Sequence, residues 1–179
     1  VNKAGAKFDW DKLDWLNSQY LHAMPVGKLT DLLIPYWREA GYDIESKDRT
    51  WLENLTALTA PTLNRLTDVI KETSVFFTDG VAYTDEAMDL LQQEGVAAVV
   101  SEIVAGVDSA QTVTEEDAQA LIKQVTKNQK VKKGLVMRSL RASLTGELHG
   151  PDLTQTWLLL NQLGADKTRL QQTLAKITG

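Results

Sequence analysis

The sequence predicts an all-α protein, a helical bundle or cage of about nine or ten helices in two packed subdomains. Three observations carry that reading. Apolar residues recur at i, i+3, i+4 and i+7 through most of the chain, the spacing of one helix face. Capping residues and prolines punctuate the pattern at short intervals. The one short apolar-aromatic run with strand character, Val75-Phe76-Phe77, passes straight into Thr78-Asp79-Gly80 and reads as a turn. With no convincing strand pair, helices have to bury their apolar stripes against other helices.

Residues 1–7 are polar around Gly5 and read as a linker. Phe8-Asp9-Trp10-Asp11 opens the first helix, with Asp9 or Asp11 as N-cap. Leu13, Leu16, Tyr20 and Leu21 follow at helical spacing, with Trp10 and Trp15 adding apolar area. Pro25 ends that helix. Leu29, Leu32, Leu33, Tyr36 and Trp37 then form an amphipathic stripe that Gly41 closes. Pro35 inside it predicts a kink or a late restart. Asp48 caps a third helix with Trp51, Leu52, Leu55 and Leu58 inward. Pro61 fits the first turn of a fourth, carrying Leu63, Leu66, Val69 and Ile70.

The turn at 75–79 marks a boundary between residues 1–79 and 80–179. Beyond it Thr84 caps a short helix with Ala87, Leu90 and Leu91. Val96, Val99, Val100, Ile103 and Val104 keep helical spacing, and that period outweighs the mild helix aversion of valine. Thr114-Glu115-Glu116-Asp117 reads as a capping box with Asp117 as a shortened acid, followed by Ala118, Leu121, Ile122 and Val125. Asp152 or Thr154 caps a helix with Leu153, Trp157 and Leu160 inward. Gly164 stops it, and Asp166 starts the last, with Leu170, Leu174 and Ile177.

The composition is that of an ordinary globular chain: 179 residues, 43% hydrophobic and 24% charged. Cysteine is absent, which excludes disulfides, thiolate metal sites and a cysteine nucleophile. No apolar run approaches the ~20 residues of a membrane span. Val1-Asn2-Lys3, with no initiator methionine, reads as a cut through a longer protein. The net charge of −5 argues against nucleic-acid binding over the whole surface. A local basic patch remains compatible, since salt screens repulsion within roughly 10 Å.

Such a patch exists. Lys130 to Leu153 is the most basic and least periodic stretch, with Lys130, Lys132, Lys133, Arg138 and Arg141, and no Asp or Glu falls between Asp117 and Glu147. It runs into Thr145-Gly146 and His149-Gly150-Pro151, where the backbone turns sharply. Clustered cations are an electrostatic footprint for a polyanion. Arginines beside exposed backbone and a rigid proline suit the reading of unstacked bases. The same run also fits a solvated helix face followed by a loop.

Catalytic chemistry is missing. There is no dinucleotide or phosphate-loop glycine motif and no His-Glu-x-x-His, and the two histidines, His22 and His149, lie far apart. His22 reads as a helix-end residue. The carboxylates Asp9, Asp11, Asp48, Glu115 and Glu116 cluster at helix starts, where capping explains them. Of the five tryptophans, Trp37, Trp51 and Trp157 fit apolar stripes and read as core.

Lys12-Leu13-Asp14-Trp15-Leu16-Asn17 with Tyr20-Leu21 resembles a segment of bacterial glutamyl-tRNA synthetases just after their catalytic core. Leu140-Arg141-Ala142-Ser143-Leu144-Thr145-Gly146, then Gly150-Pro151 and Leu153, resembles the hallmark of their anticodon-binding domain, and Phe76-Phe77-Thr78 fits the middle of that region. The resemblance implies a C-terminal piece, without the His-Ile-Gly-His and Lys-Met-Ser-Lys-Ser elements. Residues 1–79 would then serve the stem and anticodon arm, and 80–179 the anticodon. The partner is glutamate tRNA. The whole enzyme would ligate glutamate to it, with ATP, glutamate and Mg²⁺ on the absent catalytic part and no cofactor on this piece. A monomer in the bacterial cytoplasm or plastid stroma, away from membranes, is implied as well.

By position, Arg141 matches an arginine that contacts the first anticodon base. Gly150, Pro151 and Leu153 match the loop holding the first two bases. Arg138 and His149 join this base-contacting set, and Lys130, Lys132 and Lys133 are candidates for tRNA phosphates. Two departures stand out. Many members carry proline at Ser139, so a looser turn is expected before Leu140. Gly150 replaces a side chain that some members use, which leaves backbone contact alone. After Pro61, where glutamate-restricted members can carry an arginine that checks the third anticodon base, this chain has Thr62. That difference implies relaxed specificity reaching glutamine tRNA. A helical protein-interaction scaffold without RNA contact is the alternative reading.

Overall fold

The computed structural model describes residues 10–107 and 111–179. The described residues form ten α-helices and two 3₁₀ turns, with no strand among them. Contacts divide the chain into two compact units, Val1–Phe77 and Thr78–Gly179. The linker read at residues 1–7 and the Asp9 cap lie outside the described residues.

The first unit holds α1 (Trp10–Ala23), α2 (Val26–Glu39), α3 (Arg49–Thr59) and the short α4 (Asp68–Glu72). Asp48 caps α3 as its chemistry predicts, accepting the Trp51 N–H at 2.8 Å. Gly41 follows α2 with φ +82°, the left-handed conformation glycine adopts freely. Leu29, Leu33 and Trp37 of α2 pack against Trp51, Leu52 and Leu55 of α3, all of them buried. The Trp37 indole stays satisfied in that core by donating to Thr73 Oγ1 at 3.0 Å. Phe77 stacks on Tyr42, with ring centres 4.7 Å apart, and meets Trp51 edge-on at 5.9 Å.

Three expectations need correction here. Of the kink or late restart expected at Pro35, the late restart does not occur, since helix α2 runs through that residue. Leu33 and Trp37 on either side are fully buried, and their packing outweighs the backbone bond that proline removes. No single helix starts at Pro61. A 3₁₀ turn spans Ala60–Thr62, Leu63 is extended, and α4 begins only at Asp68. The Asp68 carboxylate captures the backbone N–H groups of Asn64 and Arg65 at 3.0 Å each, so a side chain takes donors that a helix would need. Finally, the α1 stripe is mostly uncovered. Leu21 is buried, but Trp15, Leu16 and Tyr20 are 60%, 48% and 65% exposed. Tyr20, Leu21 and Met24 border a groove of about 360 Å³ with Leu32 and Tyr36 of α2 and Leu66. His22 ends α1, its Nε2 3.2 Å from the Leu63 carbonyl.

The second unit holds α5 (Asp85–Leu91), α6 (Val96–Gly106), α7 (Glu115–Gln129), α8 (Lys133–Thr145), α9 (Leu153–Gln162) and α10 (Asp166–Thr178). The local signals work well here. Thr84 caps α5, Asp152 caps α9, and Thr114 with Asp117 forms a reciprocal capping box on α7. The valine-rich α6 is a helix, with Val96, Val99, Val100 and Ile103 in the core. Trp157 is buried, and its indole donates to Asp166 at 3.1 Å.

The basic stretch is more regular than its sequence suggests. Helix α8 packs against α5, α6, α7, α9 and α10 and buries Val136, Ser139, Leu140, Ala142, Ser143 and Leu144. Its periodicity is hidden because small residues do the packing: Ser139, Ala142 and Ser143 let neighbouring helices approach. No turn precedes Leu140. Ser139 lies in mid-helix, fully buried, and its hydroxyl has no hydrogen-bond partner among the described residues.

Candidate nucleic-acid interface

Helix α8 begins in an electrostatically unusual way. Lys130 closes α7 in the left-handed conformation (φ 55°), Lys132 is the N-cap of α8 without a side-chain cap bond, and Lys133 is its first residue. No acidic residue stands in that first turn. A helix N-terminus carries partial positive charge and ordinarily attracts carboxylates, yet three exposed ammonium groups are added to it. Among the described residues, none of the three has a carboxylate within ion-pairing distance. Glu102 of α6 accepts from the side-chain amides of Gln129 (2.7 Å), Asn128 (2.9 Å) and Gln124 (3.3 Å). These bonds, that of Gln129 foremost, hold its carboxyl below the usual carboxylate range. Amides near the end of α7 thus tie it to α6 just before the lysines in sequence.

Arg138 and Arg141 follow on α8, spaced to share a face with Gly134 and Thr145. Arg141 lies about 12 Å along the axis from Lys133. Arg138 is exposed. Arg141 is half-buried and rests against the loop after α8. A methyl group at Gly150 would sit 2.8 Å from Arg141 Nη1, so a side chain there would displace the guanidinium from this position. Burial pulls the Arg141 pKa down and the Asp152 carboxylate pulls it back up; an arginine remains charged throughout. No hydrogen bond engages its guanidinium among the described residues.

The loop itself is tightly placed. Gly146 ends α8 with φ +78°, and its carbonyl accepts the Thr84 N–H at 2.9 Å. A Cβ at Gly146 would fall 2.0 Å from the Ala82 carbonyl oxygen. Thr145 Oγ1 donates to the Arg141 carbonyl at 2.9 Å and accepts from the Glu147 N–H at 3.2 Å. His149 and Gly150 are exposed, and Pro151 is half-buried. His149 Nε2 lies 3.8 Å from Glu86, both side chains largely solvated. Leu153 points inward at 4% exposure.

Of the candidate base-contacting residues, the structure brings Arg141 and Gly150 into contact. Arg138 shares the face, His149 and Pro151 flank the corner, and Leu153 supports it from within. The lysines occupy the other end of the same helix. Thr62 belongs to the first unit, exposed on its 3₁₀ turn and donating its hydroxyl to the Thr59 carbonyl at 2.7 Å. Sequence reasoning missed Arg169. This arginine is 3% exposed and donates to the carbonyls of Leu144 and Thr78, at 2.9 Å each. Its signal was available: an arginine in step with Asp166, Leu170 and Thr173 on the buried side of α10. No cluster of three metal-ligating side chains occurs among the described residues, and no described helix is long and apolar enough to cross a membrane.

An all-helical module that presents arginines beside an open glycine-proline turn offers the kind of chemistry that nucleic-acid-binding proteins use. A family model described as the anticodon binding domain matches residues 28–174, and the chain belongs to that family. It is 57% identical over 177 residues to a glutamate–tRNA ligase of Nostoc punctiforme, covering 98% of this chain and 37% of that protein. A glutamate–tRNA ligase of Trichormus variabilis is 58% identical over 176 residues, with the same coverage. The chain thus spans little more than a third of the curated relatives it matches. The crystal structure of a glutamate tRNA ligase from Elizabethkingia meningosepticum, in complex with its amino acid, shares the fold: TM-score 0.85 at 21% identity, over 99% of this chain and 34% of that one.

Proposed function

We propose that this chain is the tRNA-anticodon-binding part of a glutamate–tRNA ligase, residues 80–179 holding the anticodon and residues 1–79 the arm above it. One observation carries the reading. Arg141 keeps its charge in a half-buried position, without a hydrogen bond to its guanidinium among the described residues, against the exposed Gly150 turn. A guanidinium so placed is ready to bond a base edge or stack on a base, and the turn lets that base approach the main chain. Arg138, His149 and Pro151 join the base-contacting set, Leu153 supports the loop from within, and Lys130, Lys132 and Lys133 take phosphates.

In the longer protein, ATP, Mg²⁺ and glutamate would bind outside this chain, and ligation of glutamate to tRNA would take place there. Thr62 supports relaxed specificity. Its short side chain is engaged within its own turn and offers no fork of donors to test the third anticodon base, so glutamine tRNA is accepted alongside glutamate tRNA.

A filter-binding titration of the 179-residue chain against glutamate tRNA, intact and with the anticodon loop removed, tests the reading. Salt-dependent binding that weakens on removal supports it. Equal binding of both RNAs, or none, rejects it in favour of a helical protein-interaction scaffold. In the same assay, a preference above about tenfold for glutamate over glutamine tRNA rejects the relaxed specificity.

A further inference from the structure

We propose that Arg169 is a positioning residue for the Arg141–Gly150 corner, an inference that rests on the anticodon-binding reading of that corner. Arg169 lies on α10, nearly sealed from solvent at 3% exposure. Its Nη1 donates to the Leu144 carbonyl and its Nη2 to the Thr78 carbonyl, at 2.9 Å each. Leu144 sits in the last turn of α8, less than one turn beyond Arg141. Carbonyls of a last turn have no partner within their own helix, and Arg169 supplies one from the buried side. The Gly146 carbonyl is taken by the Thr84 N–H, and Gly146 abuts Ala82 with no room for a Cβ.

The end of α8 is therefore fixed at Leu144 and at Gly146, by α10 and by the segment 78–84. The direction in which the chain leaves α8 follows from those two points. So does the place where Gly150 meets the Arg141 guanidinium. Burying a guanidinium costs solvation, and an apolar side chain of similar volume is often at least as stabilising. What arginine adds is a planar fork whose two amino groups reach carbonyls on two different segments. A lysine ammonium is a compact point donor that does not reproduce that fork.

Chains of all 179 residues carrying Arg169→Lys or Arg169→Gln are titrated with a glutamate tRNA transcript and with the same transcript bearing a replaced first anticodon base. Arg141→Ala and the double variant Arg141→Ala/Arg169→Lys are run in parallel, and far-UV circular dichroism checks folding. The expected result is a native spectrum for at least one Arg169 variant, with the affinity ratio between the two transcripts reduced roughly fivefold or more, on the scale of one specific base contact. The salt slope stays unchanged, because no phosphate contact is lost. The double variant discriminates no worse than Arg141→Ala alone, because both changes act through one group.

The proposal is overturned if a folded Arg169 variant keeps its ratio within about twofold while Arg141→Ala collapses it. It is overturned equally if neither Arg169 variant folds, since the residue then serves the fold itself. If Arg141→Ala leaves the ratio intact, the reading of the corner fails whatever Arg169 does.

Discussion

Helices α1 and α8 are of nearly equal length, 14 and 13 residues, and end in opposite surroundings. Helix α1 carries the larger apolar side chains, yet Trp15, Leu16 and Tyr20 lie largely in solvent. Helix α8 carries two serines, two arginines and one lysine and forms the centre of its unit, with Val136, Ser139, Leu140, Ala142, Ser143 and Leu144 buried. Burial follows how many elements surround a helix and how closely they approach. Small side chains on α8 permit close approach from several helices, while its arginines project along the one face left open. The helix that carries the candidate recognition residues is thereby also the most firmly anchored, which suits a site that must hold its geometry.

The contrast can be broken by mutation. Leu140→Ala, at a fully buried position, should cost about 2–5 kcal/mol in urea unfolding; a loss below about 1 kcal/mol would mean that α8 is not the centre of its unit. Gly146→Ala combines a positive φ with a collision against Ala82 and should cost roughly 2–3 kcal/mol by the same measurement. Arg141→Ala should leave stability nearly unchanged and weaken tRNA binding by about 1–3 kcal/mol, depending on the anticodon sequence. Lys132→Ala or Lys133→Ala should instead weaken binding to all RNAs alike and flatten the plot of log affinity against log salt by roughly 0.7–0.9. Ser139→Ala removes a buried hydroxyl with no hydrogen-bond partner among the described residues and should stabilise the protein by about 1 kcal/mol. The smallest effect belongs to α1: Leu16→Ala should change stability by less than about 0.5 kcal/mol, and a larger loss would show that its apolar face is covered in solution.

Legibility in the sequence follows the range of the interaction. Asp48, Thr84, Thr114 with Asp117, and Asp152 all cap the helices they precede, because a cap joins a side chain to a backbone group two or three residues on. Gly41 and Gly164 mark left-handed helix ends for an equally local reason. The broken segment after Pro61 escaped notice, since Asp68 reaches backward to the backbone of Asn64 and Arg65 in competition with a helical stripe that looks continuous. Within the candidate interface, Arg141, Gly150 and Pro151 stood out as residue types. The contact of Arg141 with Gly150 and the Arg169 bond to Leu144 join parts of the chain whose approach no local pattern encodes.

Neighbouring letters settle the helical class, most helix starts and stops, the tryptophan core and the concentration of positive charge, because propensity, capping and periodicity act within a few residues of one another. Three-dimensional packing settles which stripe is covered, as the exposed face of α1 and the enclosed α8 show. It also settles how a glycine turn comes to lie against a half-buried arginine. Those outcomes depend on distances between segments far apart in the chain, where the available space and the surrounding partners set the energy.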